Sequence, residues 1–382
     1  MALVPTEEQE LLRDTARDFV ARRSSLKRIR ALRDGADPDG FSRDLWREMA
    51  RLGWVGIVLP EAHAGLGLGY TELALVMEEL GKGLAPEPML STVLLGANAI
   101  LLGGSEAQRA AHLPAVAAGE RLLAFAHQEP HGRYDVHHVE TRAERAGGGW
   151  TLRGEKTQVL DGQVADLLVV SARTSRNVRD AEGITLFVIR PDAAGVAVQS
   201  QARLDGRNAA IVRLDGVRVD ADAVVGAPDR GGPLLGRVID RATVGLAAEM
   251  LGGMTAAFEM TIEYLKTRRQ FDVPIGSFQA LRHRAAKLFC ELELARSAVM
   301  HAARTVDEAR DDGAVARAAS LAKARCADAF VLAGYEGVQM HGGIGMTDEH
   351  DIGLCLKRAR VAEKTFGDAA WHRDRFAALD GY

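Results

Sequence analysis

The hydrophobic pattern of this chain changes its period twice, and this change constrains the fold more than any other feature. In residues 1–118 apolar side chains recur every three or four positions, which predicts amphipathic helices. In residues 119–228 they alternate in short runs bounded by Gly, Asp or Pro, which predicts strands. In residues 229–382 the helical spacing returns. We therefore predict an α+β protein with an N-terminal helical domain, a central antiparallel β-barrel domain, for which a sandwich is the alternative, and a C-terminal four-helix bundle.

Composition argues against several classes of partner. The formal net charge of −4 gives no general attraction to nucleic acid or to an anionic membrane. No apolar run approaches the length that spans a bilayer, and the first residues lack the basic and then apolar pattern of a secretory signal. The three cysteines lie on helical patterns without metal-ligand spacing, which indicates buried free thiols in a reducing compartment. We expect a cytoplasmic protein with no nucleic-acid partner and no membrane insertion.

A long helical pattern is interrupted at Pro274, and the segment around the break, YLKTRRQFDVPIGSFQAL, carries two arginines and a phenylalanine. Arg268 offers a fork of donors that can meet two phosphate oxygens, and Phe271 offers an apolar face to a flat ring. A further segment, VQMHGGIGM, contains Gly342 and Gly343, which allow close backbone approach and free amide donors. Each segment alone is also typical of an ordinary helix end, so neither by itself identifies a binding site.

The two segments together, in this order and within the three-part pattern, resemble the acyl-CoA dehydrogenase family along nearly the whole chain. The arginine segment is similar to the family pattern Y-x-x-x-R-x-x-F-G-x-P-I-x-x-F-Q-A, and the glycine segment is similar to V-Q-x-x-G-G-x-G. In relatives this region binds FAD, and the corner of one subunit reaches the adenylate half of a cofactor held mainly by its neighbour. The resemblance implies that Arg268, Phe271, Gln339, Gly342 and Gly343 bind this adenylate half across a dimer interface.

The segment expected to meet the flavin ring departs from the family pattern. Relatives carry a segment like T-E-x-x-x-G-S-D, whose hydroxyls contact the flavin, and this chain has QEPHGRYD in its place. Gln128 and Tyr134 stand where the Thr and Ser would be, and both can hydrogen-bond to polar atoms of the ring. Another family segment, W-I-T-N, becomes QVLD, so that Leu160 replaces its hydroxyl. The resemblance implies that Gln128 and Tyr134 bind the ring, and strand ends without a ligand role are the alternative.

The catalytic base also departs from the family pattern. Members of the family remove a proton from the carbon alpha to the thioester, which requires a carboxylate shielded from water. Most relatives place this Glu in Y-E-G-T, where this chain has Phe366 in TFGD, and a minority place it at the position of Ala242. Glu249, within the apolar run VGLAAEMLGGM, is our first candidate, because a charge there needs a partner or a task. Asp240 is the second and Asp368 the third, and a chain without a base is the alternative.

Several histidines lie around the QEPHGRYD segment, namely His127, His131, His137 and His138. They have no acidic or Cys partner at the spacing of known ligand sets, so we predict no metal site. Arg133 in the same segment offers a cation that would meet a carboxylate or a CoA phosphate, and an ordinary surface arginine is the alternative.

The resemblance implies FAD-dependent α,β-dehydrogenation of an acyl-CoA thioester to the trans-2-enoyl-CoA, with electrons passing to an electron-transfer flavoprotein. The C-terminal segment resembles a bacterial branch that acts on dicarboxylic acyl chains such as pimeloyl-CoA and on steroid side chains, and several of its members form α2β2 heterotetramers. One alternative is a catalytically weak or silent subunit that completes the FAD site of a paired dehydrogenase subunit. Another is a flavin monooxygenase on the same fold. A homo-oligomer with an unusual base explains the sequence nearly as well as the heterotetramer.

Overall fold

Helices, strands and helices follow one another along the chain in the computed structural model, which describes residues 5–35 and 37–382. The helices of the first part are α1 (Glu7–Arg23), α2 (Leu26–Asp34), α3 (Arg43–Arg51), α4 (Tyr70–Lys82), α5 (Asn98–Gly103) and α6 (Glu106–Ala117). A π-helical segment, Met89–Ala97, leads directly into α5. The helices of the last part are α7 (Gly231–Thr267), α8 (Gln279–Glu308), α9 (Asp312–His341), α10 (Ile352–Lys364) and α11 (Ala369–Leu379). This order agrees with the three-part hydrophobic pattern.

A sheet of eight strands occupies the middle of the chain. Its strands are β1 (Leu123–Ala126), β2 (Arg142–Ala146), β3 (Gly149–Leu160), β4 (Leu167–Arg173), β5 (Ile184–Ile189), β6 (Val196–Ser200), β7 (Ala209–Val219) and β8 (Val224–Val225). Their order is β6-β7-β3-β2-β4-β5-β8, with β1 beside β4. Among the described strands this order is an open path from β6 to β8, so the closure of the predicted barrel is not confirmed.

Most strand pairs are antiparallel, as predicted, but β1 and β2 run parallel to β4. Neither β1 nor β2 is joined to β4 by a hairpin turn, because β1 follows α6 and β2 is followed by β3. The prediction of a purely antiparallel sheet is therefore wrong at these two pairs. Alternate side chains of the strands point into a shared core that includes Trp150, Leu152, Val170, Phe187 and Val212.

The predicted fourth long helix of the C-terminal part is two shorter helices. α10 ends at Lys364, and Phe366 and Gly367 have φ of 61° and 119°, which a right-handed helix does not contain. Asp368 then caps α11 by accepting a hydrogen bond from the amide of Trp371 at 3.1 Å. The prediction of four long helices is corrected to three long helices and two short ones.

The composition gave expectations about membrane-spanning helices and about the three cysteines. No helix in the described part of the chain is long and apolar enough to cross a membrane. Cys326 and Cys355 are buried and free, but Cys290 is exposed, so the prediction of three buried thiols is wrong at this position. Cys290 lies midway between the buried Leu288 and Leu292 on α8, and two residues of rotation turn a helical side chain to the opposite face.

Backbone contacts group the described residues into two compact units. The first comprises residues 5–35, 69–86 and 243–382, and the second comprises residues 37–68 and 87–242. In the first unit the backbones of α4 and α7 approach closely at two glycines. A Cβ on Gly252 would lie 1.8 Å from the carbonyl oxygen of Glu78, and a Cβ on Gly81 would lie 2.1 Å from that of Glu249. Only glycine fits at these two positions, because no real Cβ approaches a carbonyl oxygen so closely.

Gly252→Ala is expected to destabilise the chain by about 1–3 kcal/mol, because the added methyl group forces α4 and α7 apart. Gly236→Ala is the matched control on the same helix, since a Cβ there meets no described atom within 4 Å. This control is expected to stabilise the chain by about 0.5–1 kcal/mol through helix propensity. Thermal unfolding followed by tryptophan fluorescence measures both changes. Equal shifts of the two variants would contradict the close approach of the helices.

Candidate functional site

The connection between α7 and α8 forms the first half of the candidate site. α7 ends at Thr267 rather than at the predicted break, Pro274. Between them the chain makes a two-stranded hairpin of β9 (Arg269–Gln270) and β10 (Val273–Pro274). Its turn residues, Phe271 and Asp272, have φ of 52° and 63°, as a two-residue type I′ turn requires. The hairpin makes the corner a rigid projection instead of a simple helix break.

Arg268 and Phe271 both extend from this corner into solvent. The backbone of Arg268 is held on both sides, since its N–H donates to the carbonyl of Tyr264 and its carbonyl accepts from Ile275, each at 2.8 Å. Phe271 is 87% exposed and meets Phe278 edge to face at a centroid distance of 6.1 Å. Side chains exposed on a well-held backbone are suited to bind a group that comes from outside the chain.

A largely apolar cavity of about 490 Å³ opens beside the corner. Its lining comes from the end of α7, the turn and the start of α8: Ile262, Leu265, Lys266, Pro274, Gly276, Ser277, Arg282 and Ala285. Lys266 and Arg282 add two cations to this lining, and Nε of Arg282 donates to the carbonyl of Gly276 at 2.8 Å. The lining suits a group that is both apolar and anionic, as a nucleotide is.

The glycine segment forms the other half of this arrangement. α9 ends at His341, and Gly342, with φ of 66°, starts a 3-10 turn that extends to Met346. A Cβ on Gly342 or Gly343 would meet no described atom within 4 Å, so the backbone here is open to a ligand. Gln339, one turn earlier on α9, is exposed. We call residues 342–346 the glycine turn.

Aromatic rings bring the corner and the glycine turn together. His341, which directly precedes the turn, has its ring 4.6 Å from the ring of Tyr264 and 4.2 Å from the ring of His350. Nδ1–H of His341 donates to the carbonyl of Gly337 at 2.7 Å, which fixes the orientation of the ring. Burial lowers the pKa of both histidines, which favours the neutral form of each ring. Because Tyr264 lies one helical turn before Arg268, the two predicted segments are neighbours within the first unit.

The segment after the glycine turn is held by α2. None of the nine residues of α2 is buried. Arg33 reaches both carboxylate oxygens of Asp348, at 2.8 and 2.7 Å, and Arg30 reaches Asp351 at 2.8 Å. Hydrogen bonds from Arg33 hold the pKa of Asp348 well below its usual range. These ion pairs attach a helix without fully buried residues to the segment that follows the glycines.

The donor set of this region fits the adenylate half of FAD. Arg268 supplies a guanidinium fork for phosphate oxygens, and the open glycine turn lets a ligand approach its backbone without side chains in front of it. The amide of Gly342 donates to the carbonyl of Gln339, so the expectation of a free amide donor is wrong at Gly342. Phe271 supplies an exposed aromatic face. The structure therefore brings together Arg268, Phe271, Gln339, Gly342 and Gly343 within one unit, and their contact with FAD stays a prediction.

Gln128 and Tyr134 lie in the second unit, on the loop between β1 and β2. The carbonyl of Gln128 accepts from the amide of Thr157 on β3 at 2.9 Å, and Tyr134 is half-buried. Leu160, at the end of β3, is buried. The backbone of Gln128 is thus held by β3, and the contact of both side chains with a flavin ring stays a prediction.

Glu249 is tied to Arg358 in the interior of the first unit. Nε of Arg358 donates to Oε1 of Glu249 at 2.9 Å, and Nη2 donates to Oε2 at 3.1 Å. The two residues are 5% and 3% exposed. A carboxylate that accepts from a guanidinium with both oxygens has a structural task, and this task competes with proton removal from a substrate. A catalytic role of Glu249 stays a prediction, and the geometry does not favour it.

The other candidate positions for the base differ in their surroundings. Asp240 is buried in the second unit, with 6% exposure. Asp368 caps α11 and also meets Lys364 at 3.1 Å, so it has a local structural partner. Phe366 has φ of 61°, an uncommon conformation for an aromatic residue. Ala242 is fully buried and has no carboxylate to offer.

A buried lysine holds the loop that contains Phe366. Nζ of Lys323 donates to the carbonyls of Glu363 and Gly367, at 3.0 and 2.6 Å, and the side chain is fully buried. Burial lowers its pKa to about 7. Lys323 therefore ties the end of α10 to the break before α11, beside Phe366.

The histidine-rich loop contains one set of groups at ligand distance. One ligand atom from each of Glu129, His138 and Glu140 lies within 4.8 Å of the others. The expectation that no acidic partner lies near these histidines is therefore wrong. Lys156 donates to Glu129 at 2.6 Å and two backbone amides donate to the same carboxylate, so its oxygens are already engaged. We assign no metal to this set.

Several charged residues of these regions escaped the sequence predictions. Arg358, Lys323, Lys156 and Arg173 are all less than 4% exposed. Lys156 carries a readable signal, because it shares the alternation of Trp150 and Leu152 on β3 and therefore points into the core. The helical pattern gave no such signal for Arg358 and Lys323.

Comparison with known proteins identifies relatives over the whole chain. Family profiles for the N-terminal, middle and C-terminal domains of acyl-CoA dehydrogenases match residues 6–120, 124–217 and 229–378. FadE12, an acyl-CoA dehydrogenase of Mycobacterium tuberculosis, is 32% identical over 364 residues, which cover 94% of this chain and 92% of FadE12. YngJ, a probable acyl-CoA dehydrogenase of Bacillus subtilis, is 30% identical over 364 residues, with 94% of each chain covered. The solved ChsE4–ChsE5 complex of M. tuberculosis contains a similar chain, with a TM-score of 0.89 and 29% identity over 100% of both chains.

Removal of one partner of the Glu249–Arg358 pair is expected to destabilise the fold. Glu249→Leu leaves a buried guanidinium without its carboxylate, which costs about 3–5 kcal/mol. The double variant Glu249→Leu with Arg358→Met is expected to recover most of this loss, because neither charge then remains in the interior. Thermal unfolding measures both variants. A double variant no more stable than Glu249→Leu alone would argue against a structural pair, and a stable double variant without dehydrogenase activity would support Glu249 as the base.

Stability is expected to rise with pH above 7 through Lys323. The pKa of Lys323 is about 7 in the folded chain and 10.5 in an ordinary environment. Between pH 7 and pH 10.5 this amine is therefore protonated in the unfolded chain and neutral in the folded chain. The free energy of unfolding then rises with pH by up to about 1.4 kcal/mol per unit across this window. Urea titrations at pH 7 and pH 9.5 measure this slope, which Lys323→Met is expected to remove and the exposed control Lys287→Met to retain. Parallel profiles for the wild type and Lys323→Met would refute the assignment.

Proposed function

We propose, because this chain belongs to the acyl-CoA dehydrogenase family of FAD-dependent oxidoreductases, that it catalyses α,β-dehydrogenation of an acyl-CoA thioester to the trans-2-enoyl-CoA. One observation carries the cofactor part of the proposal. The rings of Tyr264 and His341, 4.6 Å apart, make the arginine corner and the glycine turn neighbours, which supports one shared site for phosphate and a flat ring. The division into domains 1–118, 119–228 and 229–382 belongs to the same proposal and is supported by the ranges of the three profiles.

The residues of this chain have separate tasks in the proposed reaction. FAD, when bound, supplies the acceptor for the hydride that leaves the β-carbon. Arg268 and the amide of Gly343 bind its pyrophosphate, Gly342 allows the close approach of the backbone, and Phe271 covers one of its rings. Gln128 and Tyr134 hydrogen-bond to polar atoms of the flavin. We further propose that the electrons pass to an electron-transfer flavoprotein.

Proton removal from the α-carbon is the step with the least support from this chain. The two positions at which relatives carry the base are occupied by Phe366 and Ala242. Glu249 is engaged by Arg358, and Asp240 is the remaining buried candidate. These observations favour a second candidate function, in which the chain is a catalytically weak or silent subunit that completes the FAD site of a paired dehydrogenase subunit.

The second function implies an α2β2 heterotetramer, whereas the first is compatible with a homo-oligomer. The ChsE4–ChsE5 structure supports the heteromeric assembly as one that the fold can adopt, because its name describes a complex of two different proteins. We propose a substrate among dicarboxylic acyl chains or steroid side chains on the resemblance of the C-terminal segment to that branch.

The purified chain distinguishes the two functions. For a self-sufficient dehydrogenase we expect an equimolar amount of FAD and anaerobic conversion of an acyl-CoA to its enoyl-CoA, measured by the visible flavin spectrum and by mass spectrometry. Little FAD in the isolated chain, with activity only after co-purification with a paired dehydrogenase subunit, would overturn the first function and favour the second. Turnover that strictly requires oxygen and yields a hydroxylated product would overturn both.

Phe366→Glu is expected to raise the rate of dehydrogenation, because it restores a carboxylate at the position that most relatives use. A correctly placed base contributes about 10²–10⁴-fold, so a gain of at least about tenfold over the wild type is expected. Phe366→Gln is the matched control, since it has nearly the same shape and cannot take up the proton. Equal rates for the Glu and Gln variants would show that this position does not face the substrate.

A further inference from the structure

The segment from Glu129 to Thr141 leaves the sheet and returns to the same place. It contains successive turns, in which the amides of Gly132, Asp135 and His138 donate to the carbonyls of the residues three positions earlier. At its neck the carboxylate of Glu129 accepts from the amides of Glu140 and Thr141, at 2.5 and 3.0 Å. We call this segment the 129–141 loop, and it is a compact surface loop with joined ends.

Buried groups of the sheet secure the neck of the loop. Nζ of Lys156 donates to Glu129 at 2.6 Å and lies 3.0 Å from Oγ of Ser171. Lys156 is fully buried and Glu129 is 2% exposed. The amide of Arg173 donates to the carbonyl of Thr141 at 2.7 Å, which joins the end of the loop to β4. The neck is thus closed by a buried ion pair and by the sheet itself.

The guanidinium of Arg173 holds the 129–141 loop through hydrogen bonds to its backbone carbonyls. Its Nη2 donates to the carbonyls of His137 and Val178 at 2.8 and 2.7 Å, and its Nε lies 3.5 Å from the carbonyl of Val139. Its Nη1 donates to two further carbonyls, those of Asp180 and Glu182, at 2.9 and 2.6 Å. All five acceptors are backbone oxygens, and they come from the 129–141 loop and from residues 178–182.

The hydrogen bonds of the Arg173 guanidinium position the loop backbone, which is more than filling the interior with an apolar side chain would do. Arg173 is 3% exposed, and a charge is costly to bury unless its geometry is used. A guanidinium is planar and cannot rotate its donors independently, so five carbonyls around it have defined relative positions. An apolar side chain of the same volume would fill the space without imposing these positions. Arg173 therefore makes the shape of two adjoining loops depend on one rigid group.

We propose that Arg173 is a positioning residue for flavin binding, because it fixes the 129–141 loop in the shape that presents Gln128 and Tyr134. This inference rests on the proposed function, in which those two side chains meet the flavin. Gln128 directly precedes the neck. Tyr134 lies within the turn from Gly132 to Asp135, and the next turn, which ends at His138, contains the carbonyl of His137 that Arg173 holds. Arg173 itself touches the loop rather than the cofactor and acts through Tyr134 and Gln128.

Limited proteolysis tests the loop without any need for cofactor or activity. Arg133 and Arg179 are exposed and lie on the two segments that Arg173 holds. The rate of tryptic cleavage after each arginine therefore measures how rigidly its segment is held. Arg173→Lys keeps the charge and loses the fork, and Arg173→Met removes both. In each variant we expect cleavage after Arg133 and Arg179 to be faster by about tenfold or more, as mass spectrometry of the first fragments measures. Arg358→Lys, at a buried arginine of the first unit, is the control and should leave both rates unchanged.

A double-variant cycle tests the link to the flavin. Arg173→Lys and Tyr134→Phe are each expected to weaken FAD binding, the first by about tenfold through lost charged hydrogen bonds. If Arg173 acts through Tyr134, the two losses of affinity do not add up. The affinity of the double variant for FAD then equals that of the single variant with the lower affinity. Effects that multiply would overturn the positioning role. The same follows if Arg173→Lys changes the thermal midpoint but neither the affinity for FAD nor the visible circular dichroism of the flavin.

The two proposals fail in distinguishable ways. If the wild-type chain holds no FAD alone and none with a paired subunit, the proposed function fails and the flavin part of this inference is overturned with it. If FAD binds but cleavage after Arg133 is unchanged in both Arg173 variants, this inference fails alone. Should Arg173→Met not fold, Arg173→Lys still decides, because it retains the charge and most of the volume.

Discussion

The close approach of α4 and α7 at Gly81 and Gly252 determines the interior of the first unit. Two helical backbones in direct contact leave no layer of side chains between them, so the groups next to the contact are cut off from water. Glu249, whose carbonyl lies against Gly81, is one of these groups, and Arg358 satisfies its carboxylate. On the next turn of α7 Gly253 leaves room for the ring of Phe330 from α9. The close approach of the two helices therefore explains why the pair of Glu249 and Arg358 is cut off from water.

The groups proposed to bind the adenylate half of the cofactor are exposed, whereas the charged groups that hold the loops are buried. The groups assigned to the adenylate half of FAD, such as Arg268 and Phe271, are exposed on a hairpin, whereas the charges that shape the loops are buried. Lys323 and Arg173 follow the same rule. Each donates only to backbone carbonyls in the hydrogen bonds described above, and each controls a loop rather than a ligand. Rigid loops with exposed ends are what a cofactor site at a protein surface requires.

Much of the fold was predictable from local patterns, because helix and strand differ in period and a chain of this length shows each period many times. The resemblance assigned the arginine corner and the glycine turn to one site, and their proximity through Tyr264 and His341 agrees with this, whereas their contact with FAD stays a prediction. The misses depend on contacts between distant residues. The pairing of Glu249 with Arg358 and the parallel alignment of β1 with β4 leave no local signature. The break at Phe366 was also hidden, because an aromatic residue with positive φ is held by its surroundings rather than by its own preference.

Ionic strength has a specific point of action on this chain. The helix α2 is attached to the segment after the glycine turn through contacts of Arg30 and Arg33 with Asp348 and Asp351, and these groups are partly open to solvent. Dissolved salt competes with such contacts, whereas it hardly reaches an interior pair such as Glu249–Arg358. A rising salt concentration therefore separates two classes of charge within one unit. The attachment of α2 loosens first, and the restraint on the segment behind the glycines loosens with it, while the core remains intact.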